Sequence, residues 1–306
     1  METTEPAHHP GFPARAALRP GVRVVRRSAS ELQVGLSPTD AVVLPDHPAV
    51  RMLLHGLDDG RPPAPPAFLP PVAVVACSAL LAHNLVVDAD LWCRALAGTS
   101  GAAAAARSAV VAEAGDDAAT RLAARLAVAV GIADQGLPEA AAHLEQLLAI
   151  GGITVATARR PDVVVVLSAG EPDRSVLDRL VGDDVPHVSL VVSEGRVRVG
   201  PFVHPGLTCC QRCIDAHAAE QDPRHGLVIE QHVGAPRGLW GLPSPVPADL
   251  VALAVAFLAR DLSRWADVLE PATWSTVIDV DAALTFPRTH WSRHAACGCS
   301  SNSRTA

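Results

Sequence analysis

Five of the chain's seven cysteines fall in two tight clusters far apart in sequence, Cys209-Cys210-Gln-Arg-Cys213 and Cys297-Gly-Cys299. Two close thiol pairs are what a tetrahedral thiolate zinc site needs. A C-x-x-C turn aims two sulfurs at one ion, and a distant pair completes the shell. Such a site pins the C-terminal tail to the middle of the chain, which restricts the folds open to it. Gly298 lets the second turn close tightly around the metal. The spacing assigns Cys210, Cys213, Cys297 and Cys299 as ligands, with Cys209 as an alternative to Cys210. Four protein ligands leave no open position, so the ion is expected to be structural. A redox reading finds nothing in Thr208–Cys213 that would lower a thiol pKa. A zinc deaminase would use His143-Leu-Glu145 ahead of Cys210 and Cys213. It lacks the proline before the first cysteine and leaves Cys297 and Cys299 without a role. Cys77 and Cys93 sit in apolar stretches and read as packed thiols.

Composition removes further chemistry. All 25 basic side chains are arginine and tyrosine is absent. A Schiff-base lysine, a phosphate-loop lysine and a tyrosine acid or base are therefore excluded. The net charge of -7 argues against a dedicated nucleic-acid or anionic-membrane binder. The N-terminus METTEPAHHPGF lacks the basic and apolar regions of a secretory signal. The most apolar stretch, Pro71 to Ala82, stops at His83-Asn84 and is too short to span a bilayer. A cytoplasmic protein is expected.

Along the chain, residues 1–18 read as a loose arm. Residues 19–97 read as a small α+β domain of winged-helix outline: strands at Val22–Arg26, Glu31–Leu36 and Ala41–Leu44, a helix near His47–Gly56, and a buried helix over Val72–Leu85. Gly98–Arg107 is small and featureless and reads as a linker. From 108 to 306 strand and helix alternate: Ser108–Glu113 as strand, Asp116–Val130 and Pro138–Ile150 as helices. Ile153–Thr157 and Val163–Leu167 are β-branched runs of the kind buried on both faces. Asp173–Leu180 follows as helix, Val188–Val192 and Arg196–Val199 as strands, Pro247–Leu262 as a long helix. Trp274–Val280 and Ala283–Phe286 read as a closing hairpin. The pattern predicts an α/β fold, a Rossmann-like, mostly parallel sheet carrying a zinc knuckle.

A nucleotide-binding sheet carries a glycine-rich loop at its first strand-to-helix turn. Placed after Val110-Val111, that turn reads Ala112-Glu-Ala-Gly115-Asp-Asp-Ala118, with one glycine and three carboxylates. Carboxylates cap a helix well but repel a polyphosphate. Asp134 is the one candidate for the acidic ribose-binding residue that follows.

The run from Asp162 to His217 resembles the ubiquitin-activating-type (ThiF/MoeB-like) adenylyltransferases, in DVVVVLSAG, Arg174 and VPHVSLVVSEGRVRVGPFVHPGLTCCQRCIDAH. More narrowly, Gly200-Pro201, Pro205-Gly206, Cys210-Gln-Arg-Cys213-Ile-Asp215, Asp222-Pro223 and His294…Cys297-Gly-Cys299 are similar to one branch. Its members are the leader-peptide-binding, cyclodehydratase-partner proteins of thiazole/oxazole-modified peptide biosynthesis. The likeness covers about residues 105–300. It implies that the N-terminal unit is a peptide-recognition element, that the chain dimerises, and that it docks a YcaO-type cyclodehydratase. Active relatives place a metal-binding aspartate after the strand matching Val163–Leu167. Here the run is Ser168-Ala169-Gly170, with Glu171 next. The phosphate lysine is also missing.

These observations lead to a non-catalytic adaptor, a pseudoenzyme with structural Zn2+ and incomplete ATP machinery. A leader peptide would add as a strand to the sheet of residues 22–44, with Leu32, Val34 and Arg51 as contacts. Arg23, Arg26 and Arg27 would face an acidic leader or simply solvent. One alternative is an ATP-dependent adenylyltransferase activating a carboxyl terminus, with Gly115, Arg121, Arg125 or Arg174 at the nucleotide. The other is an interaction scaffold unrelated to peptide modification.

Overall fold

The computed structural model describes residues 8–156, 160–234 and 245–299. The chain divides after Ala118 into two compact units.

The first unit opens with β1 (Ala16–Leu18), β2 (Val24–Arg26), β3 (Glu31–Val34) and β4 (Val42–Pro45). Then come α1 (Pro48–Asp58), α2 (Pro71–Ala82), β5 (Val86–Asp88), α3 (Ala89–Leu96) and α4 (Gly101–Ala114). β2, β3 and β4 form an antiparallel sheet with β3 in the centre, and β1 pairs with β5. Part of the expected loose arm is thus ordered by pairing. Alternation on β3 and β4 turns Leu32, Val34, Val42 and Leu44 inward. There they meet Val50, Leu53, Leu54 and Leu57, which the helical period stacks on one face of α1. Each fully buried leucine contributes about 2 kcal/mol. His47 starts α1 by accepting the Ala49 N–H on Nδ1, with Pro48 in the first helical position.

Residues 101–107, expected as linker, and 108–113, expected as strand, together form α4. The Val110-Val111 pair suggested strand. An alanine-rich setting makes a helix that buries those two valines on one side.

The second unit contains α5 (Ala118–Ala127), β6 (Ala129–Gln135), α6 (Pro138–Gly151), β7 (Thr154–Val155), β8 (Val163–Ala169), α7 (Arg174–Gly182), β9 (His187–Ser193) and β10 (Arg196–Val203). It closes with α8 (Gln211–Gln221), α9 (His225–Gln231), α10 (Ala248–Ala266), β11 (Thr276–Val280) and β12 (Arg288–His290). The sheet order is β12-β11-β10-β9-β8-β6-β7. Pairings from β7 through β9 are parallel and those from β9 through β12 antiparallel, so the sheet is mixed and not mostly parallel. The expected helix over 116–130 stops at Ala127, and Val130 lies in β6. The expected strand at 283–286 is displaced to β12. Residue 157, the end of another expected strand, lies outside the described residues.

The valine runs are explained by burial on both faces. Val163, Val165 and Leu167 pack under α6 and α10 with Leu144, Leu258 and Leu262. Val164 and Val166 face Leu177 and Val185 on the other side. A two-residue turn joins β9 to β10, Glu194 (φ 51°) and Gly195 (φ 78°), both left-handed as a tight hairpin turn requires.

Candidate metal centre

α8 begins at the first cysteine cluster, so Cys210 is its N-cap residue and Cys213 lies one turn in. The chain after β12 brings back the second cluster. Sγ–Sγ separations are 3.8 Å for Cys210–Cys213, 3.6 Å for Cys210–Cys297 and 3.4 Å for Cys213–Cys299. All four sulfurs lie within 4.8 Å of one another. Zinc–sulfur bonds of about 2.3 Å set tetrahedral edges of about 3.8 Å, so the quartet fits such an ion. Cys209 stands outside it: its N–H donates to Ser275 Oγ, and burial pushes its thiol up to about 11. His143 and Glu145 ride on α6 and do not join the cluster.

Without metal the pair Cys210–Cys213 shares one proton. The Cys210 thiol donates to Cys213, which holds Cys213 down at about 4 and Cys210 above its ordinary value. Burial raises Cys299 to about 12. A divalent ion at this position would be held by all four cysteines as thiolates.

A second cluster, His217, Glu220 and His294, lies beside the first. His294 Nδ1 accepts the Ala296 N–H at 3.1 Å, so its proton sits on Nε2, 3.0 Å from Glu220 Oε1. His217 Nε2 meets the Ser292 carbonyl at 3.1 Å. The trio is a hydrogen-bonded clamp that fastens the C-terminal segment to α8.

The nucleotide position of such a sheet lies at the carboxyl ends of its parallel strands, where the strand order reverses. Here that is between β6 and β8. The turn into the first helix is therefore Gln135–Leu137, whereas Gly115 ends α4 (φ 53°) and belongs to no strand turn. Asp134 Oδ1 accepts the N–H groups of Gly136 and Leu137 at 3.0 and 2.6 Å. The protein's own carboxylate takes the amides that a phosphate would need. Gln135 accepts from Ser168 Oγ and the Asp173 N–H, both at 3.3 Å.

Arg174 is equally committed. It grips Asp215 with two nitrogens (2.8 and 3.0 Å), Glu171 at 3.1 Å and the Pro172 carbonyl at 3.0 Å, with its side chain 6% exposed. Glu171 also binds Arg198. Arg125 forms a buried two-point pair with Asp267. Arg121 is half-buried on α5. Over the exit of β8 crosses residues 232–234, with Glu171 N–H to His232 O and Gly234 N–H to Glu171 O, both 3.1 Å. A Cβ on Gly170 would stand 1.9 Å from the Gly234 oxygen. The residues present do not fit a nucleotide polyphosphate: its donors are occupied, its space is crossed and no carboxylate stands at Ser168 or Ala169.

In the first unit, Leu32 and Val34 lie on the central strand with side chains in the core, so neither can meet an added strand. Arg51 holds Asp46 through Nε and, at 2.6 Å, through a second nitrogen, and Arg26 reaches the same carboxylate at 3.1 Å. Sequence spacing does not reveal which strand is central. The partners of Arg174 were equally hidden, because Asp215 lies on α8.

No family model and no curated protein matches the sequence. Solved structures do. E. coli MccB with AMPCPP and MccA superposes with a TM-score of 0.61 at 13% identity over 94% of this chain and 99% of MccB. The heterocyclase TruD gives 0.60 at 15% identity over 94% of this chain, and a heterocyclase with substrate and cofactor 0.60 at 16% over 93%. This fold is also theirs. The chain spans only 43% and 39% of those two heterocyclases. MccB has also been solved with ATP. Among the described residues no helix is long and apolar enough to cross a membrane.

Proposed function

We propose that the protein is a non-catalytic adaptor of modified-peptide biosynthesis, on the ThiF-like branch that partners cyclodehydratases. The single observation that carries this reading is the Arg174 network, in which carboxylates of the chain itself take the charge that would otherwise hold a phosphate. The likeness to MccB and to heterocyclases supports the peptide setting. The quartet holds a structural Zn2+ that fixes the C-terminal segment.

The N-terminal unit acts as the winged-helix-like peptide reader. Of its sheet edges, β2 ends in Arg26 with Arg27 next, charges that discourage pairing. β4 (Val42-Val-Leu-Pro45) carries none, exposes Val43 and lies beside α2. A leader peptide adds along β4, its main chain supplying affinity. Two guanidiniums on the one Asp46 carboxylate leave positive charge for an acidic leader residue. The same chain would dock a YcaO-type cyclodehydratase and dimerise, as its branch does.

Hydrogen exchange of the full chain with a precursor peptide tests the reading: the amides of Val42, Val43 and Leu44 are expected to slow. Slowing confined to β2, or none, sinks the β4 assignment. Robust pyrophosphate exchange with Mg-ATP would establish the adenylyltransferase instead.

A further inference from the structure

α8 carries a second set of donors one turn beyond Cys213. His217 and Glu220 stand three residues apart, so the helical period sets them on one face. The segment after β12 lays His294 against both. One donor atom from each of the three lies within 4.8 Å of the others.

The protonation pattern decides what can enter. The Ser292 carbonyl can only accept, so His217 Nε2 carries its ring's hydrogen at 3.1 Å. The neutral ring then turns a bare Nδ1 lone pair toward Glu220 Oε2, 4.0 Å away. Two electron-rich atoms face each other, and a cation between them satisfies both. A carbonyl that fixes the far nitrogen of an imidazole is also how proteins orient a metal-binding histidine. Trp291 and His294 hold the His217 ring, with centroids at 5.7 and 4.7 Å. Among the described residues no arginine pairs with Glu220, so none competes for its charge.

His294 completes the set. Its Nε2 lies 3.0 Å from Glu220 Oε1. That is the spacing of two neighbouring donors around an ion with bonds of about 2.1 Å. Without metal a proton bridges this pair. An ion takes the place of that proton, and the ring then carries its hydrogen on Nδ1. The exchange gives up the Ala296 N–H bond, which lies at the surface where water replaces it. Glu220 is exposed, and its side chain is free to rotate and close the longer contact to His217. Two imidazoles and one carboxylate favour a first-row divalent ion over Mg2+ or Ca2+.

We propose that His217 Nδ1, the Glu220 carboxylate and His294 Nε2 bind a second divalent ion, of the zinc class, beside the cysteine quartet. Three protein ligands at the surface hold it more weakly than four thiolates, so it enters only from added metal. The assignment does not depend on the peptide reading.

The test titrates the full chain, washed free of loosely held metal, with Zn2+ by calorimetry and with Mg2+ as control. One further saturable event of one ion per chain is expected with Zn2+ and none with Mg2+. Glu220→Gln removes the charge but keeps an oxygen that accepts from His294 Nε2. His217→Phe removes the nitrogen but keeps a ring against Trp291. Each should weaken the further event by at least about tenfold, with the melting temperature before zinc addition unchanged. Cys297→Ser should remove the tightly held ion, which the other two variants keep, so the quartet and this site fail separately. No saturable event, equal uptake of Mg2+, or parental zinc affinity in either Glu220→Gln or His217→Phe overturns the proposal.

Discussion

His187 opens β9 with 1% of its surface exposed. Its Nδ1 donates to the Val185 carbonyl at 3.0 Å and its Nε2 has no partner. Burial holds its pKa down at about 4 against an ordinary 6.5. A histidine with a depressed folded pKa gives stability that is full above 6.5 and lost as pH falls through 4. Between pH 7 and 4.5 the loss is about 2–3 kcal/mol. Urea unfolding should show His187→Gln losing less stability over that interval than the parent; an equal loss refutes the assignment. Arg125–Asp267 poses the opposite case, a charge pair with both side chains 4% exposed. Asp267→Ala strands the guanidinium and should cost about 3–5 kcal/mol in the same measurement. At this scale the cysteines were readable because their spacing is itself chemistry. The partner of Arg125 lies 142 residues away, and nothing local announces it. Leu32 and Val34 were rightly placed on a strand, yet alternation cannot tell a central strand from an edge.

Elements were legible where burial dictates composition. The β8 valines need two apolar faces, and the sequence shows them. The chain failed as a guide where small residues dominate: α4 and the turn after it were read as strand and glycine loop, which shifted the expected nucleotide turn from 136 to 115. The true turn carries its own sign in Gly136-Leu-Pro138, with Pro138 at the helix start. Asp134, expected as a ribose ligand, caps the turn instead. Gly170 then sets how β8 can end. Its φ of 86° and the carbonyl of Gly234 above it leave no room for a side chain. Gly170→Ala should destabilise by more than about 1 kcal/mol and displace the crossing residues, read as faster hydrogen exchange at 225–234. If melting and exchange match the parent, the crossing segment is not held by that approach.

At the level of the whole chain, the quartet closes a long loop: β11, β12 and the clamp residue His294 all lie between the two cysteine clusters or beside the second. Protons oppose metal here in a definite sense. In the metal-free chain the Cys210–Cys213 pair titrates as a unit, the hydrogen bond between them lowering Cys213 and raising Cys210. Cys299, raised to about 12, contributes stability below 9.0 and loses it as pH rises through 12. An ion must displace the protons that Cys210 and Cys299 retain, so metal affinity falls as pH falls. Chelation at neutral pH should therefore release one ion per chain and lower the melting temperature by at least about 5 °C. Exchange should quicken at residues 276–290. Acidification alone should do the same once protons outcompete the metal, and Cys297→Ser should reproduce it without chelator. Cys209→Ser should leave metal content unchanged, because Cys209 is not one of the four clustered sulfurs. Metal lost in Cys209→Ser but kept in Cys210→Ser would reverse the ligand assignment.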